Sequence, residues 1–113
     1  MDKIAAYQKI IVDLLEEYAS VKPANLTAHE YQVIVDTQHH HYQLLSLGWQ
    51  NNKHYYHVIL HLDIKPDAKI WLQANNTDWN IADSLRENGV PHSDIVLGTI
   101  APNLRAYSGY AVA

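Results

Sequence analysis

At 113 residues, 48% of them hydrophobic, the chain has the length for one domain with a single modest core, taken here as 1–113. Eight Lys and Arg against twelve Asp and Glu give a formal charge of −4 with the cations scattered, so direct nucleic-acid binding, which relies on cations replacing phosphate counterions, is not expected. The absence of cysteine excludes disulfides, thiol nucleophiles and thiolate metal sites. No stretch has the pattern of a membrane span or secretory signal, and the expected setting is the cytoplasm.

From Asp2 to about Ser20 the apolar residues Ile4, Tyr7, Ile10, Ile11, Leu14, Leu15 and Tyr18 recur at helical spacing. Asp2 is placed to cap this helix, and Pro23 enforces a stop soon after it. At 1.5 Å per residue the helix is roughly 27 Å long, enough to cross a small sheet.

From Glu30 the period changes to two, and strands are expected near Glu30 to Asp36, His41 to Gln50, Lys53 to Ile64 and Ala68 to Gln73. Asn51-Asn52 suits a two-residue hairpin turn, and Pro66-Asp67 marks the next reversal. Links this short make the strands antiparallel. A regular ladder from the Asn51-Asn52 turn pairs Gln50 with Lys53, Leu44 with Ile59 and His40 with Asp63. One face then carries Leu45, Leu47, Trp49, Tyr56, Val58, Leu60 and Leu62, the expected core beneath the helix. The other carries Tyr42, Leu44, Ser46, Tyr55, His57, Ile59, His61 and Asp63, too apolar for a plain solvent face and too polar for a second core.

Further on, Asn76 or Thr77 is placed to cap a helix with Trp79, Ile81, Ala82 and Leu85 on its apolar side, ended by Gly89. Val90-Pro91 starts a second short turn toward Ile95, Val96 and Leu97. The tail through Arg105, Tyr107 and Tyr110 has no clear period. Arg105 and Tyr107 either order the C-terminus against the sheet or present a hook for a partner. The fold class is α+β: a long N-terminal helix packed on an antiparallel meander of about four strands, then short helices and a docked tail.

Chemistry-bearing groups are few. There is no Gly-x-Ser-x-Gly elbow and no Gly-rich phosphate loop, so no catalytic residue and no cofactor are assigned. The run His39-His40-His41 cannot converge on one ion because neighbours on a strand point to opposite faces. Under the regular register, His40, His61 and Asp63 share a face and form a weak candidate metal site; cross-strand polar pairs of this kind are more often structural. Asp36 across from His41 is a candidate rim ion pair. Eight tyrosines and three tryptophans with no phenylalanine give nearly every ring a polar handle. Tyr42, Leu44, Tyr55 and Ile59 are therefore candidates for a half-wet contact surface, while Tyr7, Tyr18, Tyr56 and the tryptophans are expected in the core.

The order of motifs resembles the XisI family: Asp36-Thr37, His41-Tyr42-Gln43-Leu44, Gly48-Trp49, His61-Leu62-Asp63-Ile64-Lys65, Lys69-Ile70-Trp71-Leu72-Gln73, Gly89-Val90-Pro91, Asp94-Ile95-Val96-Leu97, then Arg105, Tyr107, Ala111 and Ala113. The likeness spans nearly the whole chain. Asp67-Ala68 and Asn75-Asn76 depart from it, at positions where relatives tend to have Asp-Gly-like turns. The resemblance implies a non-enzymatic controlling factor for site-specific excision of a DNA element, working with a XisH-like protein and a separate recombinase, and no catalytic residue to carry over. Self-association of the half-polar sheet face into a homo-oligomer is a further expectation. The alternative is a small metal-dependent hydrolase or nuclease subunit built on His40, His61 and Asp63.

Overall fold

The helical stripe becomes α1 (Lys3–Ala19) in the computed structural model, which describes residues 2–20 and 29–113. Asp2 caps α1 by accepting the Ile4 N–H at 3.0 Å, as its side chain and position predict. Tyr7, Ile11, Leu14 and Leu15 are its buried residues. The stop expected at Pro23 lies outside the described residues.

Three antiparallel hairpins follow, built from β1 (His29–Asp36), β2 (His41–Gln50), β3 (Lys53–Ile64) and β4 (Ile70–Asn75). Each reversal has a local chemical cause. Asp36 Oδ1 accepts the N–H groups of Gln38 and His39 at 3.0 Å each, and His40 closes that turn at φ 60°. Asn51 and Asn52 stand at φ 53° and 64°, the doubly left-handed turn that matches strand twist. After Pro66 and Asp67, Ala68 holds φ 67°, a conformation that disfavours a Cβ.

The sheet has five strands in the order β1-β2-β3-β4-β5, not about four. The fifth, β5 (Ile95–Leu97), lies parallel to β4. The sequence marks only the Val90-Pro91 turn that leads to it, because three residues are too few to show a period. A parallel return needs a long crossover, which α2 (Ile81–Glu87) provides. The α2 cap is Asn80, whose Oδ1 accepts the Asp83 N–H, rather than Asn76 or Thr77. Thr77 is instead drawn into an upstream turn by Asn75 Oδ1, with its own hydroxyl accepting from the Trp79 N–H. Gly89 follows the helix at φ 100°, as expected of a left-handed terminator. Strand β4 also starts and ends two residues later than predicted, because Lys69 still belongs to the turn anchored by Asp67 Oδ1.

The ladder between β2 and β3 is regular from Gln50 with Lys53 to Leu45 with Val58 and then slips by one, so that Leu44 pairs with Leu60. Ile59 is the extra residue of a β-bulge. Beyond it the two sides of β3 exchange relative to the expected register. The core therefore joins Tyr42 and Leu44 to Leu60, Leu62, Ile64, Ile70 and Leu72, covered by α1 and by Ile81, Ala82 and Leu85 of α2. Tyr42 and Leu44, placed on a contact surface by the regular ladder, are 0% exposed. Trp49 and Tyr56, placed in the core, are 61% and 58% exposed.

The tail docks on the sheet. Ala111 bridges Val96 and donates its N–H to the Ile95 carbonyl at 2.8 Å, covering the β5 edge. Arg105 lies over the Trp71 ring at 5.0 Å and bonds the Ile100 carbonyl at 3.0 Å, so it orders the segment in which it sits. Tyr107 projects outward, 86% exposed.

Asp94 ties the start of α1 to the segment just before β5. The Tyr7 hydroxyl donates to Asp94 Oδ2 at 2.5 Å and the Lys3 ammonium lies 2.7 Å from the same oxygen. Burial pulls the Asp94 carboxyl upward, but these hydrogen bonds and the charges of Lys3 and Lys69 outweigh it and hold it below the ordinary carboxylate value.

Two outcomes follow. Ala68→Gly relieves the left-handed strain and raises unfolding free energy in urea by about 0.5–1 kcal/mol, the residual after glycine's greater unfolded-state entropy. Because the folded-state pKa of Asp94 is depressed, its contribution is present above the unfolded value of 3.8 and is lost as pH falls through the lower folded value. In Asp94→Asn the stability at neutral pH falls by about 1–2 kcal/mol and the acid slope below about pH 4.5 becomes shallower, read from urea midpoints across pH.

Candidate functional site

The sheet has a second face, opposite α1, and the bulge decides what stands on it. His41 and Asp63 are register partners, His61 pairs with Gln43, and all four side chains project to that face with Trp71 and Gln73 of β4. His41 Nδ1 lies 2.7 Å and His61 Nε2 lies 2.8 Å from the same oxygen, Asp63 Oδ1. The other carboxylate oxygen accepts from the Gln73 amide at 3.2 Å. The Gln43 amide nitrogen stands 3.1 Å from His61 Nδ1; with that amide donating, the proton of His61 sits on Nε2 and is given to Asp63.

Gln73 reaches this position through a second bulge. The β3–β4 ladder passes from His61 with Ala74 to Leu62 with Leu72, leaving Gln73 unpaired and its side chain turned to Asp63. Gly98 makes room for it. A Cβ there would sit 2.9 Å from both Gln73 Oε1 and the Leu72 carbonyl.

Asp63 is thus a buried carboxylate with three side-chain donors. Burial raises its pKa, but the hydrogen bonds from His41 and His61, the charge His61 carries when protonated, and the Gln73 amide together hold it below the ordinary carboxylate range. The cluster opens to solvent on the His41 side, in a cleft of about 350 Å³ that also touches Ile34 and Asp36.

Of the sequence candidates, His61 and Asp63 meet here and His40 does not. The one-residue slip substitutes His41 for His40, whose Nδ1 instead lies 2.9 Å from the Tyr42 hydroxyl. Tyr42 is held in turn by Gln8 at 3.3 Å, and burial, followed by the charge of Asp36, pushes its phenol up to about 12. Asp36 pairs across the ladder with His41 but bonds His39 Nδ1 at 3.0 Å, so the expected Asp36–His41 pair is replaced by two separate ones. Ile59 packs against the core, and Tyr55 is half-buried with the Lys53 ammonium 5.6 Å from its ring centre. The contributions of Gln43 and Gln73 were not assigned from sequence. Their signal was their place in the family-like motifs His41-Tyr42-Gln43-Leu44 and Lys69 to Gln73.

A larger cleft of about 600 Å³ lies between α1, β1 and α2. Its walls are mainly rings that pack on one another, Tyr18 stacked on Trp79 at 5.3 Å and tilted to Tyr31 at 5.7 Å. No set of histidines and carboxylates converges there among the described residues.

The two roles of the cluster separate by substitution. Asp63→Ala strands the His61 and Gln73 donors in a mostly buried place and lowers stability by about 2–4 kcal/mol. His41→Ala, whose ring is half exposed, costs less than about 1 kcal/mol. Urea unfolding of both variants checks the difference.

Comparison with known proteins agrees with this architecture. The family model described as XisI protein matches residues 1–112. The crystal structure of a XisI-like protein from Anabaena variabilis ATCC 29413 is similar at 45% identity and TM-score 0.88, over 97% of this chain and 99% of that one. The crystal structure of fdxN element excision controlling factor XisI from the same organism is similar at 30% identity and TM-score 0.84, over 99% of this chain and 100% of that one. A search of curated proteins found no match. With the family model covering nearly every residue and two solved relatives superposing along their full lengths, the chain belongs to the XisI family.

Proposed function

We propose that this protein is a non-enzymatic accessory factor controlling site-specific excision of a DNA element, and that it acts by binding protein partners in the cytoplasm, a XisH-like protein and a site-specific recombinase. The relative named as an fdxN element excision controlling factor supports the role. The formal charge of −4 favours a protein partner over direct DNA contact.

The observation that carries the reading is the part of the second sheet face that no other described residue covers. Toward the Asn51-Asn52 hairpin, Leu47, Trp49, Tyr56 and Val58 lie on that face beyond the docked tail, with Trp49 and Tyr56 more than half exposed. Exposed aromatic rings grouped on one sheet face are a usual composition for a protein interface. The contact surface thus keeps the face opposite α1 but changes its residues: Trp49 and Tyr56 take the place of Tyr42 and Leu44. Tyr107, also exposed, remains a candidate hook on the docked tail. The same face pairing with itself in the absence of a partner accounts for the expected homo-oligomer.

Co-expression with a XisH-like companion, followed by size exclusion with light scattering, tests the proposal. The two proteins co-elute, and Trp49→Asp or Tyr56→Asp separates them while each variant keeps its circular dichroism spectrum. Separate elution of two folded wild-type proteins contradicts the accessory-complex reading. Tyr42→Asp is a contrasting variant: it places a charge in the core and lowers stability by more than about 4 kcal/mol, seen as loss of the cooperative thermal transition.

A further inference from the structure

We propose that His41, His61 and Asp63 form a binding site for a divalent transition-metal ion, zinc above all, which bridges β2 and β3 on the second sheet face. The three side chains each offer one ligand atom, and these atoms lie within 4.8 Å of one another. Two imidazoles and one carboxylate are a donor set suited to zinc-type ions.

The three donors already converge. Around a tetrahedral zinc with bonds of about 2.0–2.1 Å, ligand atoms stand about 3.3 Å apart. The His41 and His61 nitrogens now stand 2.7 and 2.8 Å from Asp63 Oδ1, and all three atoms lie within 4.8 Å, so an ion displaces two protons, moves the carboxylate oxygen about half an ångström from each imidazole and draws the two imidazole nitrogens toward each other. Coordination through His61 Nε2 moves the remaining ring proton to Nδ1. The neighbour of Nδ1 is the Gln43 amide, and an amide answers that change by turning its oxygen inward to accept.

The surroundings hold the donors as a metal site requires. Gln73 binds Asp63 Oδ2 and leaves Oδ1 for the ion, and it does so from a bulged position with space guaranteed by Gly98. The Asp63 side chain is 11% exposed while that of His41 is 51% exposed, so the carboxylate is fixed in the sheet and the fourth coordination position faces the cleft. Three protein ligands with one open position is the arrangement in which zinc retains a water or takes a donor from another molecule. This site is independent of the partner-binding surface at Trp49 and Tyr56.

The test uses the full chain, stripped with a chelator and titrated with Zn²⁺ alone by calorimetry, with Co²⁺ loaded separately for visible absorption. The expected result is saturable binding of one ion per chain and a Co²⁺ spectrum of tetrahedral intensity. Both are lost in His61→Ala and in His41→Ala, variants checked for folding by circular dichroism. A His39→Ala, His40→Ala double variant retains both, because those rings lie outside the cluster. Absence of saturable binding to the wild-type chain overturns the proposal. So does binding that survives His61→Ala and His41→Ala but disappears in the double variant, since the ion then sits on the exposed histidine run of the β1–β2 turn.

Discussion

One extra residue, Ile59, governs the architecture. Below it the β2–β3 ladder follows the hairpin turn, and above it every side chain of β3 changes face. The alternative without the bulge would turn Leu60 and Leu62 to solvent and place Asp63 beneath the helices. Burying two leucines contributes about 3–6 kcal/mol, and an unpaired buried carboxylate costs several more. A bulge forfeits about one net ladder hydrogen bond, of order 1 kcal/mol. The register slip therefore wins by a wide margin, and the His41–His61–Asp63 cluster is its by-product on the other face.

That balance also explains what the sequence made legible. Helix α1 was readable because four turns of apolar spacing outlast any local ambiguity, and the Asn51-Asn52 turn because only residues tolerant of positive φ fit it. Asp2 and Gly89 marked their helix ends through side-chain chemistry alone. The bulge left no such mark: Ile59 is an ordinary strand residue, and its effect depends on which of two ladders buries more apolar surface. A trace was present in the mixed face holding Tyr42 and Leu44 with His61 and Asp63. No single side of a sheet suited those residues, because they belong to two sides. Strand β5 was hidden for a different reason, since its three residues become a strand only through pairing with β4 and the tail.

With the register settled, the second face divides into three zones along the sheet. The tail covers the β4–β5 end, where Val96 is buried and Arg105 clamps Trp71. The polar cluster occupies the middle and draws on β2, β3 and β4, so it reports the pairing of all three. Among the described residues nothing covers the hairpin end, where Trp49 and His54 pack ring to ring at 4.8 Å near Tyr56. The tie from Tyr7 and Lys3 to Asp94 helps to keep α1 seated on the opposite side.

The most direct test of the account is nuclear Overhauser spectroscopy of the β2–β3 ladder. Backbone contacts between His41 and Asp63 and between Gln43 and His61 are the predicted result, together with the regular pairing of Leu47 with Tyr56 nearer the turn. Contacts that instead join His40 to Asp63 and Tyr42 to His61 would remove the bulge, take Leu60 and Leu62 off the face that Tyr42 and Leu44 share, and contradict both the core and the site described above.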